Sequence, residues 1–396
     1  MTVHEDAREL QGELAALRHA LHAEPEIGLD LPRTQEKVLS ALSVLPLDIT
    51  TGTRTTSVTG VLRGTGEGPV VLLRGDMDAL PVQERSQLPY ASRVDGTMHA
   101  CGHDLHTTML VGAARLLAHH RDRLPGDVVF MFQPGEEGFD GAQVMLDEGV
   151  LGAAGRGVDV AYGMHVFASK LPQGHFATRP GTMLAAADEL RVTVHGEGGH
   201  GSAPQFARDP VAAVAEMVTT LQTMVTRRFD VFDPVVITVG SLHAGTVGNV
   251  IPDRAVFQAT VRSFSPGARE QAVRLASETL QGIARAHGVE VVVEHLPGYP
   301  PTRTDSDETA FVADTVREVF GEERHHTLEH PLTGSEDFSR VLEAVPGSFV
   351  GLGAVPTDLD PERAPYNHSP LARYDDAVLA DGAALYAELA LSRAHR

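Results

Sequence analysis

The chain has 396 residues, 42% of them hydrophobic, which suffices for one large domain or two domains of ordinary size. Its formal net charge of −21 repels phosphate backbones, so nucleic acid is not an expected partner. One cysteine excludes an intramolecular disulfide bond. The charged N-terminus is unlike a signal peptide and no apolar run spans a bilayer, so we expect a cytoplasmic protein with no membrane partner.

The first half of the chain predicts strands that alternate with helices. Short Val-rich segments bounded by Gly, Pro or Asp predict buried strands at 69–75, 127–134 and 158–166. Apolar residues at helical spacing predict helices at 104–124 and 141–151, between these strands. Such alternation favours an α/β fold with a mainly parallel sheet that helices cover on both faces.

The pattern changes at 187–296, where strands and helices follow one another in the order βαββαβ of ferredoxin-like units. Because this α+β unit is complete in itself, we predict an inserted domain at 185–297. It interrupts a catalytic domain formed by 1–184 and 298–396. A Pro-rich junction at 296–305 marks the return to that domain.

The segment MHACGHDLH contains the single cysteine of the chain. Cys101 and His103 are two residues apart, so in an extended segment both side chains reach one centre. A thiolate and an imidazole are ligands that suit zinc and neighbouring metals. For this pair alone, a buried thiol beside an unrelated surface histidine is an equally good interpretation.

Other polar side chains lie at the carboxyl ends of predicted strands, where parallel sheets bind ligands. Glu136 and Glu137 follow the strand 127–134, so one could bind a metal while the other faces a water. A solvated acidic turn is the alternative for this pair. His165 ends the strand 158–166, where a histidine is more often a core residue than a ligand.

Two more segments offer polar groups. Asp76 and Asp78 end the strand 69–75, a place where carboxylates often hold a ligand histidine in one tautomer. His368 lies in the segment YNHSP, for which an ordinary surface loop is the alternative. Five candidate ligands exceed the needs of one tetrahedral ion and suggest two ions about 3.5–4 Å apart. These candidates are Cys101, His103, Glu137, His165 and His368.

Eight motifs follow one another along nearly the whole chain: GDMDALP, MHACGHDLHTTMLVG, QPGEEG, GMHV, GEGGHGSAP, NVIPD, TVR and GSEDF. In these motifs and their order the chain resembles the M20 metallopeptidase superfamily. It is most similar to the amidohydrolase branch of hippurate hydrolase, N-acyl-amino-acid amidohydrolase and auxin-conjugate hydrolases. The resemblance implies a zinc-exopeptidase-like α/β catalytic domain with an inserted lid domain that forms a homodimer.

The resemblance also implies roles for the residues of the catalytic domain. It implies Glu136 as general base and Asp78 as a residue that orients a ligand. Peptidase members carry His-x-Asp where this chain has Asp76-Met77-Asp78, and in the amidohydrolase branch the Cys and His of CGH take over. The implied metal ligands are Cys101, His103, Glu137, His165 and His368.

In the lid, the resemblance implies three residues that act on the substrate. His200 would reach the active site of the partner subunit and help to stabilise the oxyanion. Asn249 and Arg262 would bind the carbonyl and the carboxylate of the substrate. Gln205 stands where relatives often have His, which predicts a difference in a lid contact or in substrate preference.

The expected activity is hydrolysis of the amide bond of N-acyl amino acids, either hippurate-like or acyl-amino-acid conjugates, with two divalent ions per subunit. Zinc or manganese is expected, with cobalt or nickel as further options. Glu136 would take a proton from water and pass it to the leaving nitrogen. The alternatives are a dipeptidase or aminopeptidase, an N-acetyl-diaminopimelate deacetylase and a metal-binding regulatory protein.

The chain lacks the sequence motifs of two other classes of hydrolytic enzyme. A zinc deaminase needs a Pro-Cys-x-x-Cys pair, whereas the chain has one cysteine. A serine hydrolase of the α/β type needs a Gly-x-Ser-x-Gly elbow, and stretches such as GTGEG do not supply one.

Overall fold

The computed structural model describes residues 2–393 and divides into two compact units. The large unit comprises the chain up to Met183, Arg303–His330 and the chain from Asp337 onward. The inserted unit comprises Leu184–Thr302 and Pro331–Glu336. Each unit has its own cluster of buried apolar side chains.

The described residues form nine α-helices and sixteen strands. The helices are α1 (Val3–His22), α2 (Pro32–Leu42), α3 (His103–His119), α4 (Gly141–Asp147), α5 (Pro210–Arg228), α6 (Pro266–His287), α7 (Ser306–Phe320), α8 (Ser339–Ala344) and α9 (Leu379–Ser392). The strands are β1 (Leu47–Thr51), β2 (Val58–Leu62), β3 (Val71–Asp76), β4 (Val128–Gln133), β5 (Val160–Phe167), β6 (Phe176–Thr178), β7 (Gly181–Leu184), β8 (Ala186–His195), β9 (Gly199–His200), β10 (Val235–Ala244), β11 (Val250–Ile251), β12 (Arg254–Ser263), β13 (Glu290–Pro297), β14 (Thr302–Thr304), β15 (His325–Thr327) and β16 (Gly347–Gly353).

The large unit is built on an eight-stranded sheet with the order β1-β2-β4-β3-β5-β16-β6-β15. Its four central strands, β4, β3, β5 and β16, are parallel to one another. Strands β1 and β2 are antiparallel at one edge, and β6 runs antiparallel to β16. The strands β3, β4 and β16 are buried along their whole length, as expected when a parallel sheet is covered on both faces. The predicted α/β class with a mainly parallel sheet is confirmed.

Helix α3 starts at the candidate metal ligands. It begins at His103 rather than at residue 104, and Gly102 before it has a left-handed φ of 83°. A Cβ at Gly102 would lie 2.4 Å from Cγ2 of Val166, so only glycine fits here. Cys101 and His103 are therefore joined by a tight turn into a helix. The expectation of an extended segment was wrong, because glycine lets the chain reverse between the two residues.

The inserted unit contains a four-stranded antiparallel sheet with the order β10-β12-β8-β13, packed against α5 and α6. This is the strand order of a ferredoxin-like unit. Both helices begin at side-chain caps, Asp209 for α5 and Ser265 for α6. A second, two-stranded ribbon of β9 and β11 lies in the same unit, and the sequence pattern did not predict it.

No helix among residues 2–393 combines the length and the apolar character that crossing a membrane requires.

Candidate metal centre

The carboxyl ends of the parallel strands bring the predicted polar residues of the large unit together. Strand β3 lies between β4 and β5, and all three run in the same direction. Asp76 ends β3, Glu136 and Glu137 follow β4, and His165 lies near the end of β5. The first turn of α3 then adds His103 at the same place, within reach of Asp76 and His165.

Five side chains form two groups that share one sulfur atom. Nε2 of His368 lies 3.2 Å from Sγ of Cys101 and 3.1 Å from Oε1 of Glu137. Nε2 of His165 lies 3.4 Å from the same Sγ. The groups Cys101, Glu137 and His368, and Cys101, His103 and His165, each bring three potential ligand atoms within 4.8 Å of one another.

The unsatisfied polar atoms of these groups fit a cation. Among the described residues, both ring nitrogens of His103 are buried without a hydrogen bond, and the buried Oε1 of Glu137 has only its 3.1 Å contact with Nε2 of His368. The carboxylates of Asp78 and Asp76 lie 3.4 Å and 3.5 Å from the ring nitrogens of His103, which is too long for a good hydrogen bond. A buried polar atom without a partner costs about 1–3 kcal/mol. Thiolate, imidazole and carboxylate ligands suit a divalent transition metal such as zinc.

The electrostatics of the site couple cation binding to protons. Burial raises the pKa of the Cys101 thiol, and the nearby Glu137 raises it further. Contacts with Cys101 and Glu137 raise the pKa of His368 to about 10. Burial holds the pKa of His165 well below its usual value, so this ring stays neutral with a lone pair on Nε2. A cation would displace protons from the thiol and from His368, so its affinity should weaken at acidic pH.

Asp78 holds the turn that carries the two glutamates. Its carboxylate accepts hydrogen bonds from the backbone N–H groups of Glu136 and Glu137, each at 3.0 Å. The buried carboxylate of Glu136 lies within 4.8 Å of potential ligand atoms of His103 and Glu137. A carboxylate held in this way beside the ligand groups is well placed to accept a proton from a water.

Asp76 binds other side chains through both of its oxygens. Oδ2 accepts from NH1 of Arg74 at 2.8 Å, and Oδ1 lies 2.5 Å from Nδ1 of His106. Arg74 is completely buried and also donates to Asp337 and Gln133, each at 2.9 Å. We therefore interpret Asp76 as part of the framework under the site. Arg74 and Asp337 were not predicted from the sequence, although an arginine inside the apolar run PVVLLRG was a signal.

Replacing Asp337 by Ala should lower the free energy of unfolding by about 3–5 kcal/mol, because Arg74 would keep a buried charge with one partner fewer. Urea denaturation measures this loss. The matched control is Asp358→Ala, which removes the exposed partner of Arg373 and should cost less than about 1 kcal/mol. Equal losses in the two variants would contradict a structural role for the Arg74 network.

The inserted unit contains the other residues for which the sequence predicted a role. His200 on β9 pairs with Val250 on β11, and the carbonyl of Asn249 accepts from the N–H of Gly201 at 2.8 Å. Nδ1 of His200 accepts from the backbone N–H of Ser202 at 3.1 Å. A neutral His200 therefore carries its proton on Nε2, where it can be donated.

Arg262 lies on β12 and is half-buried, and Gln205 lies exposed in the short helical turn Pro204–Phe206. NH1 of Arg262 is buried without a hydrogen-bond partner among the described residues. Burial lowers the pKa of this guanidinium, and Asp188 partly opposes the effect. An anion would supply the missing acceptor.

A parallel α/β sheet with two groups of potential ligand atoms at its carboxyl edge, and a carboxylate beside them, is an arrangement suited to metal-dependent hydrolysis. The chain belongs to Peptidase family M20/M25/M40, whose family model matches residues 72–392.

Similar proteins include two hydrolases and one solved structure. Thermostable carboxypeptidase 1 of Saccharolobus solfataricus is 36% identical over 390 residues, which cover 98% of this chain and 96% of the relative. IAA-amino acid hydrolase ILR1-like 2 of Arabidopsis thaliana is 38% identical over 384 residues, which cover 96% and 84%. The structure of the YXEP protein of Bacillus subtilis, described as a dinuclear metal binding peptidase, has a TM-score of 0.84 at 31% identity and covers 98% of this chain and 99% of that one.

Proposed function

We propose that this protein hydrolyses the amide bond of N-acyl amino acids with two divalent metal ions, and that Glu136 is the general base. The observation that carries this proposal is the position of Cys101 in two ligand groups, with the carboxylate of Glu136 next to them. A protein that only stored metal would need no such base. The similarity to a dinuclear metal binding peptidase supports two ions rather than one.

The chemistry divides between the ions and the side chains. When bound, the ions lower the pKa of a water and polarise the carbonyl of the substrate. Glu136 accepts the proton of that water and then delivers it to the leaving nitrogen, because an amide nitrogen must be protonated to leave. The two hydrogen bonds of Asp78 to the turn hold Glu136 in place during both steps. Zinc or manganese suits the ligands best, and cobalt or nickel could replace them.

Residues of the inserted unit support an N-acyl amino acid as the substrate. The guanidinium of Arg262, with NH1 lacking an acceptor, suits a bidentate contact with the carboxylate of the amino-acid half. His200, with its proton on Nε2, suits stabilisation of the oxyanion, and Asn249 suits a contact with the carbonyl. A relative named IAA-amino acid hydrolase supports a conjugate of an acyl group and an amino acid.

The proposal includes a homodimer formed by the inserted unit, in which His200 serves the site of the partner subunit. Strand β10 is at an edge of its sheet and exposes the apolar side chains of Val236 and Leu242. An exposed apolar edge strand of this kind is suited to pairing with another chain.

Arg262→Ala should lower kcat/KM for N-acyl amino acids by about 10–100-fold, because it removes a charge-assisted contact worth about 1.5–3 kcal/mol. Steady-state kinetics over a series of N-acyl amino acids, with varied acyl and side chains, measure this loss. The same substrates with the carboxylate converted to an amide serve as the control. Wild-type protein should prefer the carboxylates, and the variant should lose that preference.

Equal losses on both substrate sets would contradict carboxylate binding by Arg262. Faster cleavage of dipeptides with a free amino group than of N-acyl amino acids would contradict the proposed substrate class. Cleavage of the C-terminal residue from longer peptides would favour a second candidate function, that of a carboxypeptidase. The similarity to thermostable carboxypeptidase 1 supports this candidate.

A further inference from the structure

Side chains of the candidate metal centre bind both the backbone N–H and the backbone carbonyl of Val166. Its N–H donates to Nε2 of His106 at 2.8 Å. Its carbonyl accepts from Nδ1 of His165 at 2.8 Å and from Nδ2 of Asn367 at 3.0 Å. Three side chains that are far from one another in the sequence thus meet at a single residue, which directly follows the candidate ligand His165.

The two carbonyl contacts connect ligand histidines of different groups. His165 uses its Nδ1 proton for the Val166 carbonyl, which leaves Nε2 to face the sulfur of Cys101 at 3.4 Å. Asn367 immediately precedes His368, and its Oδ1 also accepts from the N–H of Ala168 at 3.0 Å. Asn367 therefore holds the loop of His368 against the strand of His165.

His106 binds the N–H side of Val166 and is fully buried. Because Nε2 accepts the N–H of Val166, the ring proton lies on Nδ1 and is directed at Oδ1 of Asp76, 2.5 Å away. Both nitrogens are thus engaged, so His106 is unsuited to be a further metal ligand. Asp76 in turn is bound by the buried Arg74, which anchors the ring of His106 in the core.

We propose that His106 and Asn367 are positioning residues that set the separation of the ligand histidines His165 and His368 through the backbone of Val166. The proposal rests on the proposed function, because it takes both histidines to be metal ligands. Side chains that hold ligands in place are commonly worth about 10–100-fold in metal affinity or activity. Neither residue touches the substrate in this role, so the first effect of their loss falls on the metal.

The test separates the two hydrogen bonds of His106. His106→Gln keeps an acceptor at the distance of Nε2 for the N–H of Val166, whereas His106→Asn keeps only a donor near Nδ1 for Asp76. The affinity for Zn²⁺ is measured by competition with a chromophoric chelator, and the visible spectrum of the Co²⁺-loaded protein reports the geometry at the ions. We expect His106→Asn to lose about 10–100-fold in affinity and to change the Co²⁺ spectrum. His106→Gln should stay within about threefold of wild type and keep the spectrum.

Asn367→Asp is the second variant, on a side chain that is partly exposed, so it tests the proposal even if a buried change at His106 prevents folding. It keeps an acceptor for Ala168 but cannot donate to the Val166 carbonyl, or to the carbonyl of Cys101 at 3.4 Å, and it should lower the affinity for Zn²⁺ by a similar factor. Thr108→Val is the control, because within residues 2–393 this buried hydroxyl of α3 binds only the carbonyl of Asp104. It should leave both the affinity and the spectrum unchanged.

Unchanged affinity and spectra in both His106→Asn and Asn367→Asp would overturn the proposal, and so would a His106→Gln variant as impaired as His106→Asn. These outcomes differ from a failure of the proposed function. In that case the wild-type protein itself would bind fewer than two ions, or would bind both and leave N-acyl amino acids intact.

Discussion

Glu136→Gln should leave both metal ions bound and lower kcat by about 100-fold or more, the usual contribution of one acid–base group. Gln has nearly the same shape as Glu but cannot accept the proton of the water. The hydrogen bond from residue 136 to Asp78 comes from the backbone N–H, so the substitution leaves the turn intact. Metal content after dialysis and steady-state kinetics on an N-acyl amino acid measure the two effects separately.

The adjacent glutamate supplies a matched control. Glu137→Gln makes the same chemical change one residue away, at a carboxylate that lies 3.1 Å from Nε2 of His368. We expect this variant to lose metal as well as activity, whereas Glu136→Gln loses activity alone. A metal-replete Glu136→Gln variant with near-normal kcat would refute the role of general base.

The second large effect is expected for Cys101→Ala, which should lower the affinity for both ions by more than about 100-fold. The sulfur atom belongs to both candidate ligand groups, so its removal should lower the affinity for each ion. The loss of a direct ligand should lower metal affinity more than the loss of a residue that only positions a ligand. Titration of the apo-protein with Zn²⁺, followed by metal analysis, gives the stoichiometry and the affinities.

His368→Ala and His165→Ala are the controls for this stoichiometry. Each histidine belongs to only one of the two groups that share the thiol, so each variant should bind one ion more weakly and leave the other bound. A Cys101→Ala variant that still binds two ions with wild-type affinity would contradict the shared sulfur.

The sequence predicted the parallel sheet and the site at its edge because both depend on local patterns. Buried strands appear as short apolar runs, and the polar residues directly after them fall at one edge of a parallel sheet. The structure brings the five predicted ligands together in this way, and their role as ligands stays a prediction. The reason given for Cys101 and His103 was wrong, since the turn at Gly102, rather than an extended segment, joins them.

The framework under the site could not be predicted, because its contacts join distant parts of the chain. Arg74 and Asp337 are 263 positions apart, and no local pattern pairs them. His106 lies inside the motif MHACGHDLHTTMLVG and Asn367 directly precedes His368, but only the fold shows that both bind the backbone of Val166. The β9–β11 ribbon has two residues in each strand, which is too short to give a periodic signal.

In the proposed two-ion site, a thiol common to both candidate ligand groups would make their occupancies interdependent. Burial and a neighbouring carboxylate oppose ionisation of Cys101, so the first cation to bind must displace a tightly held proton. A second cation then meets a sulfur that is already ionised. Filling of the two proposed positions would therefore be thermodynamically linked, so that the affinity for each cation depends on whether the other is bound.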